Sequence, residues 1–357
     1  MEFVEYEKMS PTMDRFQSDI EMLKKEKWVV LEKVHGANFG CYTDGEECKF
    51  ARRRDFLKES EGFYNYRQAE FMKDLQEKMI EIYRRVQAMV DGKEIAQVIV
   101  FGEVFGGKYD HQDVPKQKKM KPVQAEIQYS PDIRLYCYDI AYIKKLDNGD
   151  AAGPEFLDFT DVMQIFDDLS IFYGKPLFVG KMNEALNYSL AFDSTLPGLI
   201  GLPPLPKGSN RAEGIVIKPM KNIVVETAFG EKERVILKIK GPEFDETRNQ
   251  KGTKKKGAVV DNSVRPDKAF IPLMLRYVTD NRMVSAVSKI GPPESDDLKK
   301  AVEEEFMEDV FTDMLEDEKN NTLWESCDDK QKEVVKKCLK GKTAALLKKY
   351  IEKMGIS

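Results

Sequence analysis

Long apolar runs are missing from this 357-residue sequence: no stretch reaches the roughly eighteen apolar residues of a membrane-spanning helix, so neither a transmembrane helix nor a membrane partner is expected. Cysteine is scarce and scattered. The five thiols, Cys41, Cys48, Cys137, Cys327 and Cys338, are odd in number and include no Cys-x-x-Cys pair. That spacing argues against a zinc site or a dithiol redox motif, and for reduced thiols in a cytosol-like compartment. The opening residues Met1-Glu2-Phe3-Val4-Glu5 are acidic and fit neither a secretory signal nor a basic transit peptide, so no targeting segment is expected. A positive surplus is missing too. Lys and Arg number 57 against 62 Asp and Glu, a net charge of −5, which speaks against binding polyanions by bulk charge. A nucleic-acid partner would need a local basic stripe.

The length suffices for two domains. Residues 67–90 carry Phe71, Leu75, Met79, Ile82, Val86 and Met89 at three-and-four spacing, which predicts an amphipathic helix closed by Asp91-Gly92. Buried strands are predicted at Trp28-Val29-Val30-Leu31, resuming at Asn38 to Tyr42, and at 96–107. Residues 133–142 predict another, with Tyr136 and Tyr138 on one face and Leu135, Cys137 and Asp139 on the other. Two more follow at 213–218 and 234–240, after an ordered apolar loop at 197–206. Residues 243–262 are polar, with Lys251, Lys254, Lys255 and Lys256 clustered, and read as a linker. Beyond it the pattern predicts helices at 268–289, 296–314 and 330–354 and no strand. The expected fold is therefore α+β: residues 1–241 form a domain of mainly antiparallel sheets with flanking helices, and residues 242–357 a linker and a small all-helical domain.

Lys33 stands at the end of the first strand, before the small-residue turn at Gly36, where a partly desolvated amine is freed to attack an electrophile such as a nucleotide α-phosphorus. A solvated strand-end lysine gives the same pattern. Lys238 and Lys240 alternate with Val235, Leu237 and Ile239, so both ammonium groups share one face and call for an anion such as a phosphate; a solvated edge face is the plainer alternative. Glu103 and Glu213 open apolar, glycine-flanked strand segments, suited to a ribose hydroxyl pair or a metal-bound water, or to structural salt bridges. Arg52-Arg53-Arg54 can clamp a phosphate or form a basic turn.

Taken in order, Glu32-Lys33-Val34-His35-Gly36-Ala37-Asn38-Phe39, Ala51-Arg52-Arg53, Phe101-Gly102-Glu103, Tyr136-Cys137-Tyr138-Asp139-Ile140, the run from Glu213 to Pro219 and Lys238-Ile239-Lys240 are a fingerprint. The set resembles the RNA ligase 2 family of ATP-dependent RNA ligases, which includes phage RNA ligases and the trypanosome RNA-editing ligases. The segments Tyr277 to Arg282 and Val287 to Gly291 are similar to that family's helical carboxy-terminal domain. Ala37 stands where threonine is common, and Tyr138 where phenylalanine is common.

The resemblance implies an ATP-grasp-like nucleotidyltransferase domain that uses ATP with Mg2+ or Mn2+. Lys33 would form lysyl-AMP, pass AMP to a 5′-phosphate on RNA, and let a 3′-hydroxyl seal the strand, at a nick in duplex or bridged RNA. It places Glu32, Val34 and Asn38 around the nucleotide, Tyr138 against adenine, Glu103 on the ribose and Arg53 as the clamping arginine. Lys238 and Lys240 would neutralise the α-phosphate and lower the Lys33 pKa, and Glu213 would orient a metal-bound water. His35 would orient RNA or the leaving group, or merely bond within the turn. A monomer is expected, contacting RNA through the Lys251 to Lys256 cluster and through Arg276, Arg282 and Lys289. The alternative is a non-catalytic RNA-binding or assembly protein with a ligase fold. A DNA ligase or capping guanylyltransferase fits less well, since those usually carry Lys-x-Asp-Gly and a following β-barrel.

Overall fold

The computed structural model describes residues 1–90, 94–117, 120–146, 152–226, 232–244 and 265–356. They divide into two units, Met1–Gly241 and Pro242–Ser357. The run Lys251 to Lys256 and the turn Asp91-Gly92 lie outside the described residues.

In the first unit the order is α1 (Ile20–Leu23), β1 (Lys27–Lys33), β2 (Ala37–Thr43), β3 (Cys48–Ala51), α2 (Met72–Met89), β4 (Ile95–Lys108), β5 (Ser130–Lys144), β6 (Glu155–Phe156), α3 (Phe159–Asp168), β7 (Pro176–Lys181), α4 (Met182–Leu186), α5 (Leu196–Leu199), β8 (Gly214–Pro219), β9 (Val224–Glu226), β10 (Lys232–Arg234) and β11 (Leu237–Lys240). Two antiparallel sheets dominate, ordered β11-β8-β1-β7 and β3-β2-β4-β5-β6. β1 is apolar on both faces because both are covered. Val29 and Leu31 join one core with Phe39, Cys41 and the inward side of α2, while Trp28 and Val30 join another with Ile215, Ile217 and Leu237. The α+β expectation, with mainly antiparallel sheets, matches this architecture.

Local departures have physical causes. The helix predicted from Arg67 begins at Met72, because Phe63, Tyr64 and Asn65 take left-handed φ of 22°, 56° and 55° and set Phe63–Gln68 as a separate tight turn. Leu75, Met79, Ile82 and Val86 are buried as the spacing requires, but Met89 is 45% exposed. The predicted strand at 234–240 is two pieces. Arg234 ends β10, which pairs with β9, and pairing with β8 starts only at Leu237. The expected alternation in β5 fails at Tyr138: Cys137 opposes Gly102 and Asp139 opposes Phe101, leaving Tyr138 as a bulge. Tyr138 and Asp139 therefore both meet Tyr6, one ring to ring at 5.1 Å and the other by accepting its hydroxyl at 2.6 Å.

The second unit holds α6 (Pro266–Met274), α7 (Asp280–Ile290), α8 (Asp296–Leu315), α9 (Glu318–Glu325) and α10 (Asp329–Met354), around a core that includes Phe270, Met283, Val287, Val302, Phe306, Leu339 and Leu347. The helix expected at 268–289 is α6 and α7, split where the Thr279 hydroxyl accepts the Arg282 amide at 3.2 Å and caps a new helix. The sequence reading also missed α9, which Asp317 caps by accepting from Lys319 and Asn320.

Candidate active site

Pairing across three strands places Lys33 beside Gly214 and Gly214 beside Lys240, with Leu31, Val216 and Lys238 in a neighbouring row. Directly opposed residues share a face. Lys33, Lys238 and Lys240 therefore project together from one side of this sheet. Glu213, 1% exposed just before β8, joins them: its Oε2 accepts from Lys33 Nζ at 2.7 Å, and its Oε1 lies 3.3 Å from Lys240 Nζ. Burial alone would raise the Glu213 carboxyl. The charges of Lys33, Lys240 and His35 outweigh it and bring the pKa down to about 2.

The other wall comes from the second sheet, where Asn38, Glu103 and Tyr136 stand in register. Glu103 Oε1 accepts the Gly36 amide at 3.2 Å. A Cβ at Gly36 would lie 2.2 Å from the Val104 carbonyl oxygen, so the turn needs glycine to approach β4 this closely. Burial drives the Glu103 carboxyl up to about 7, with the nearby Glu213 carboxylate adding to the rise and Lys33, the Gly36 amide and Arg53 opposing it. Asn38 Nδ2 donates to Tyr138 Oη at 2.8 Å. Arg53 Nε lies 3.1 Å from Glu5 Oε1.

His35 sits between two carboxylates, with Nδ1 3.6 Å from Glu213 Oε2 and Nε2 3.7 Å from Glu126 Oε2. Its amide donates to Tyr129 Oη at 2.9 Å, and Gln124 Nε2 donates to the Gly36 carbonyl at 3.1 Å. These residues from the segment between β4 and β5 hold the turn that follows Lys33, and sequence reasoning missed them. Nothing in their spacing signalled a partner some ninety residues back in the chain. Beneath the bulge, Asp139 accepts from Lys218 at 2.6 Å, Arg234 at 3.2 Å and Tyr6 at 2.6 Å, all buried. The odd Arg and Tyr of this network gave no sequence signal either.

The geometry narrows two expected nucleotide contacts to the backbone and corrects two expected nucleic-acid contacts. Glu32 turns to the sheet face opposite Lys33, where its Oε2 accepts from Thr195 N at 2.8 Å and Thr195 Oγ1 at 2.7 Å. A nucleotide beside Lys33 can meet Glu32 only through its backbone, whose carbonyl accepts from Tyr136 Oη at 3.1 Å. Val34 is buried at 5% exposure and likewise offers its backbone. Arg282 is not a nucleic-acid contact: fully buried, it donates to the carbonyls of Tyr277 and Asp309 and pairs with Asp313 at 2.8 Å. Lys289 is held by Glu305 at 2.9 Å and by Asp309. Both cations close the helical core rather than face a ligand.

For a divalent cation, the residues fit only in part. Among the described residues no group of three or more His, Cys, Asp or Glu side chains could hold a metal, and both Glu213 oxygens face lysines. A hydrated ion carried by nucleotide phosphates suits such a site, because Mg2+ commonly keeps its waters and takes one or two carboxylates beside substrate oxygens.

Residues 26–240 match the RNA ligase family, and residues 267–345 match the T4 RNA ligase 2 C-terminal family. RNA-editing ligase 2, mitochondrial, of Trypanosoma brucei brucei is 30% identical over 332 residues, covering 82% of this chain and 78% of the relative. RNA-editing ligase 1, mitochondrial, of the same organism is 28% identical over 336 residues, covering 79% of this chain and 68% of the relative. Among solved structures, a Naegleria gruberi RNA ligase aligns with a TM-score of 0.43 and 16% identity over 70% of this chain, which spans 59% of that protein's length. An archaeal ATP-dependent RNA ligase aligns with a TM-score of 0.39 and 16% identity, over 87% of this chain and 64% of that one. With matches that run through both units and carry the lysine, glutamate and paired-lysine elements in order, the chain belongs to the RNA ligase family.

Proposed function

We propose that this protein is an ATP-dependent RNA ligase that joins a 3′-hydroxyl to a 5′-phosphate at a nick in duplex or bridged RNA, with residues 1–241 as its adenylyltransferase domain. The observation that carries the reading is the placement of Lys33 Nζ, buried to 16% exposure, against Glu213 and in the same cationic face as Lys240. An ammonium held this way must shed its proton before it attacks. Once free, its nitrogen bonds to the ATP α-phosphorus as the bond to pyrophosphate breaks, giving a lysine–AMP phosphoramidate. The RNA 5′-phosphate oxygen then displaces lysine, and a 3′-hydroxyl displaces AMP, losing its proton as the phosphodiester forms.

Each displacement spreads negative charge on phosphate oxygens, which fixed cations stabilise better than water does. Lys238 and Lys240 supply those charges, and Glu213 positions Lys240 beside Lys33. Glu103 and Asn38 offer hydrogen bonds to the ribose, Tyr138 its ring to adenine, and Arg53 a cation for phosphate once Glu5 yields. His35, set between Glu213 and Glu126, orients the leaving group or the RNA end. A divalent cation with ATP would add charge neutralisation at the triphosphate. A binding-only protein would not require a half-buried lysine, two glutamates and a paired-lysine strand gathered around one face. Sealing of a nicked RNA duplex with a labelled 5′-phosphate tests the reading. An adenylylated 5′ end that decays into product supports it, and a nick left unmodified by protein and ATP contradicts it.

A further inference from the structure

The correction at Arg282 and Lys289 removes two of the helical unit's predicted nucleic-acid contacts, yet one helix of that unit is strongly basic. α10 carries nine lysines against Asp329, Glu333 and Glu352, a surplus of six positive charges in 26 residues of a chain whose net charge is −5. We propose that the exposed face of α10 is a docking surface for the phosphate backbone of RNA. This inference rests on the RNA-ligase reading.

Val335, Leu339, Thr343, Leu347 and Tyr350 turn into the core. At 3.6 residues per turn the opposite stripe carries Lys330, Lys337 and Lys348, all exposed, with the exposed Val334 and the small Gly341, Ala344 and Ala345 between them, Glu352 at its end and Lys340 beside it. From Lys330 to Lys348 it runs about 27 Å, several phosphate spacings. Some lysines of α10 have structural partners: Lys349 pairs with Asp280 at 3.0 Å and Lys332 with Glu325 at 3.7 Å. Lys330, Lys337, Lys340 and Lys348 have no carboxylate partner among the described residues.

Folding does not account for this face. Lys337 and Lys340 are one turn apart, a like-charge spacing that weakens a helix. Charge near the helix C-terminus complements the macrodipole and explains Lys353, but not cations in the middle. Gly341 is also mid-helix, where alanine is preferred, and nothing lies within 4 Å of where its Cβ would stand. No neighbour among the described residues needs that gap. A gap flanked by lysines lets a backbone of phosphates approach the helix closely.

The partner's sign is set by a second feature. α8, packed against α10, carries eight carboxylates, of which Glu305, Asp309 and Asp313 are taken up by Lys289 and Arg282, leaving five against Lys299 and Lys300. Such segregation leaves one attractive and one repulsive surface within the unit, which orients a polyanion and disfavours an acidic strand on α8.

The test uses the full chain with Lys337→Gln, Lys340→Gln and Lys348→Gln combined, and a control with Lys299→Gln and Lys300→Gln on α8. Binding of a nicked RNA duplex is measured across a series of KCl concentrations, and AMP uptake on Lys33 is measured without RNA. The surface predicts normal AMP uptake in both variants, and for the triple variant RNA binding at least about tenfold weaker at low salt with a log–log salt slope shallower by about 2 to 3. The α8 control keeps the wild-type slope. Identical slopes for wild type and triple variant overturn the surface, even if affinity falls, since the lost contact would then not be with phosphate. A wild type that takes up no AMP overturns instead the ligase reading on which the surface rests.

Discussion

Lys33 and Glu213 are joined by a 2.7 Å charge-assisted hydrogen bond at the point where β1 ends and β8 begins beside it. The pair is 180 residues apart in sequence and is created by strand register alone. Because Glu213 also faces Lys240 at 3.3 Å, Glu213→Gln leaves two half-buried ammonium groups without their shared anion. The expected result is a loss of about 2 kcal/mol of stability, discounted from a fully buried pair because both lysines keep some water, together with an adenylylation rate at least about a hundredfold lower. Denaturant unfolding and single-turnover AMP uptake measure the two effects separately.

The two glutamates of the candidate site give opposite pH dependences. Glu213 is depressed to about 2, so its stabilisation is complete above its unfolded value near 4.5 and is lost as pH falls through 2. Glu103 is raised to about 7, so the folded state binds its proton more tightly than the unfolded chain and stability declines as pH rises from about 4.5 to 7. Glu103→Gln should accordingly raise the melting temperature at pH 8, by relieving on the order of 3 kcal/mol, and change it little at pH 4. Melting curves of both proteins across this range check the sign.

Tyr138→Phe removes the hydroxyl that accepts from Asn38 at 2.8 Å and keeps the ring. The expected cost is about 1 kcal/mol in stability with near-normal adenylylation. Tyr138→Ala removes the ring as well and should raise the KM for ATP about tenfold or more, with a smaller change in kcat.

Asp139 is 1% exposed and neutralises Lys218 and Arg234 together. Asp139→Asn strands two buried cations and should cost about 3–5 kcal/mol, enough to unfold a marginal protein at 37 °C. Tyr6→Phe, which removes one 2.6 Å bond to the same carboxylate, should cost only about 1–2 kcal/mol. Urea midpoints rank the two.

What the sequence disclosed, and what it withheld, follows the range of each interaction. Alternation and apolar runs placed β1, β4 and β8, because strand burial is written in local pattern. The spacing of Lys238 and Lys240 showed a common face, and register then set that face beside Lys33. Local pattern did not reveal the bulge at Tyr138, since pairing two-against-one depends on the partner strand. Nor did it reveal that Thr195, Tyr129, Gln124 and Glu5 converge on the motif residues, each from a distant segment without a signature of its own. Arg282 was misjudged for the same reason. A charged residue on a helix reads as solvated until a capping turn and a carboxylate from α8 enclose it.

The central claim is that Lys33 is the nucleophile of an adenylyl transfer. Intact-protein mass spectrometry after incubation with magnesium and ATP, beside GTP and NAD controls, tests it most directly. The account predicts a single added AMP on the wild type from ATP alone, removed by pyrophosphate and absent from a folded Lys33→Ala variant. An unchanged mass in folded protein shown to be free of earlier AMP, or an adduct that persists on Lys33→Ala, would contradict it.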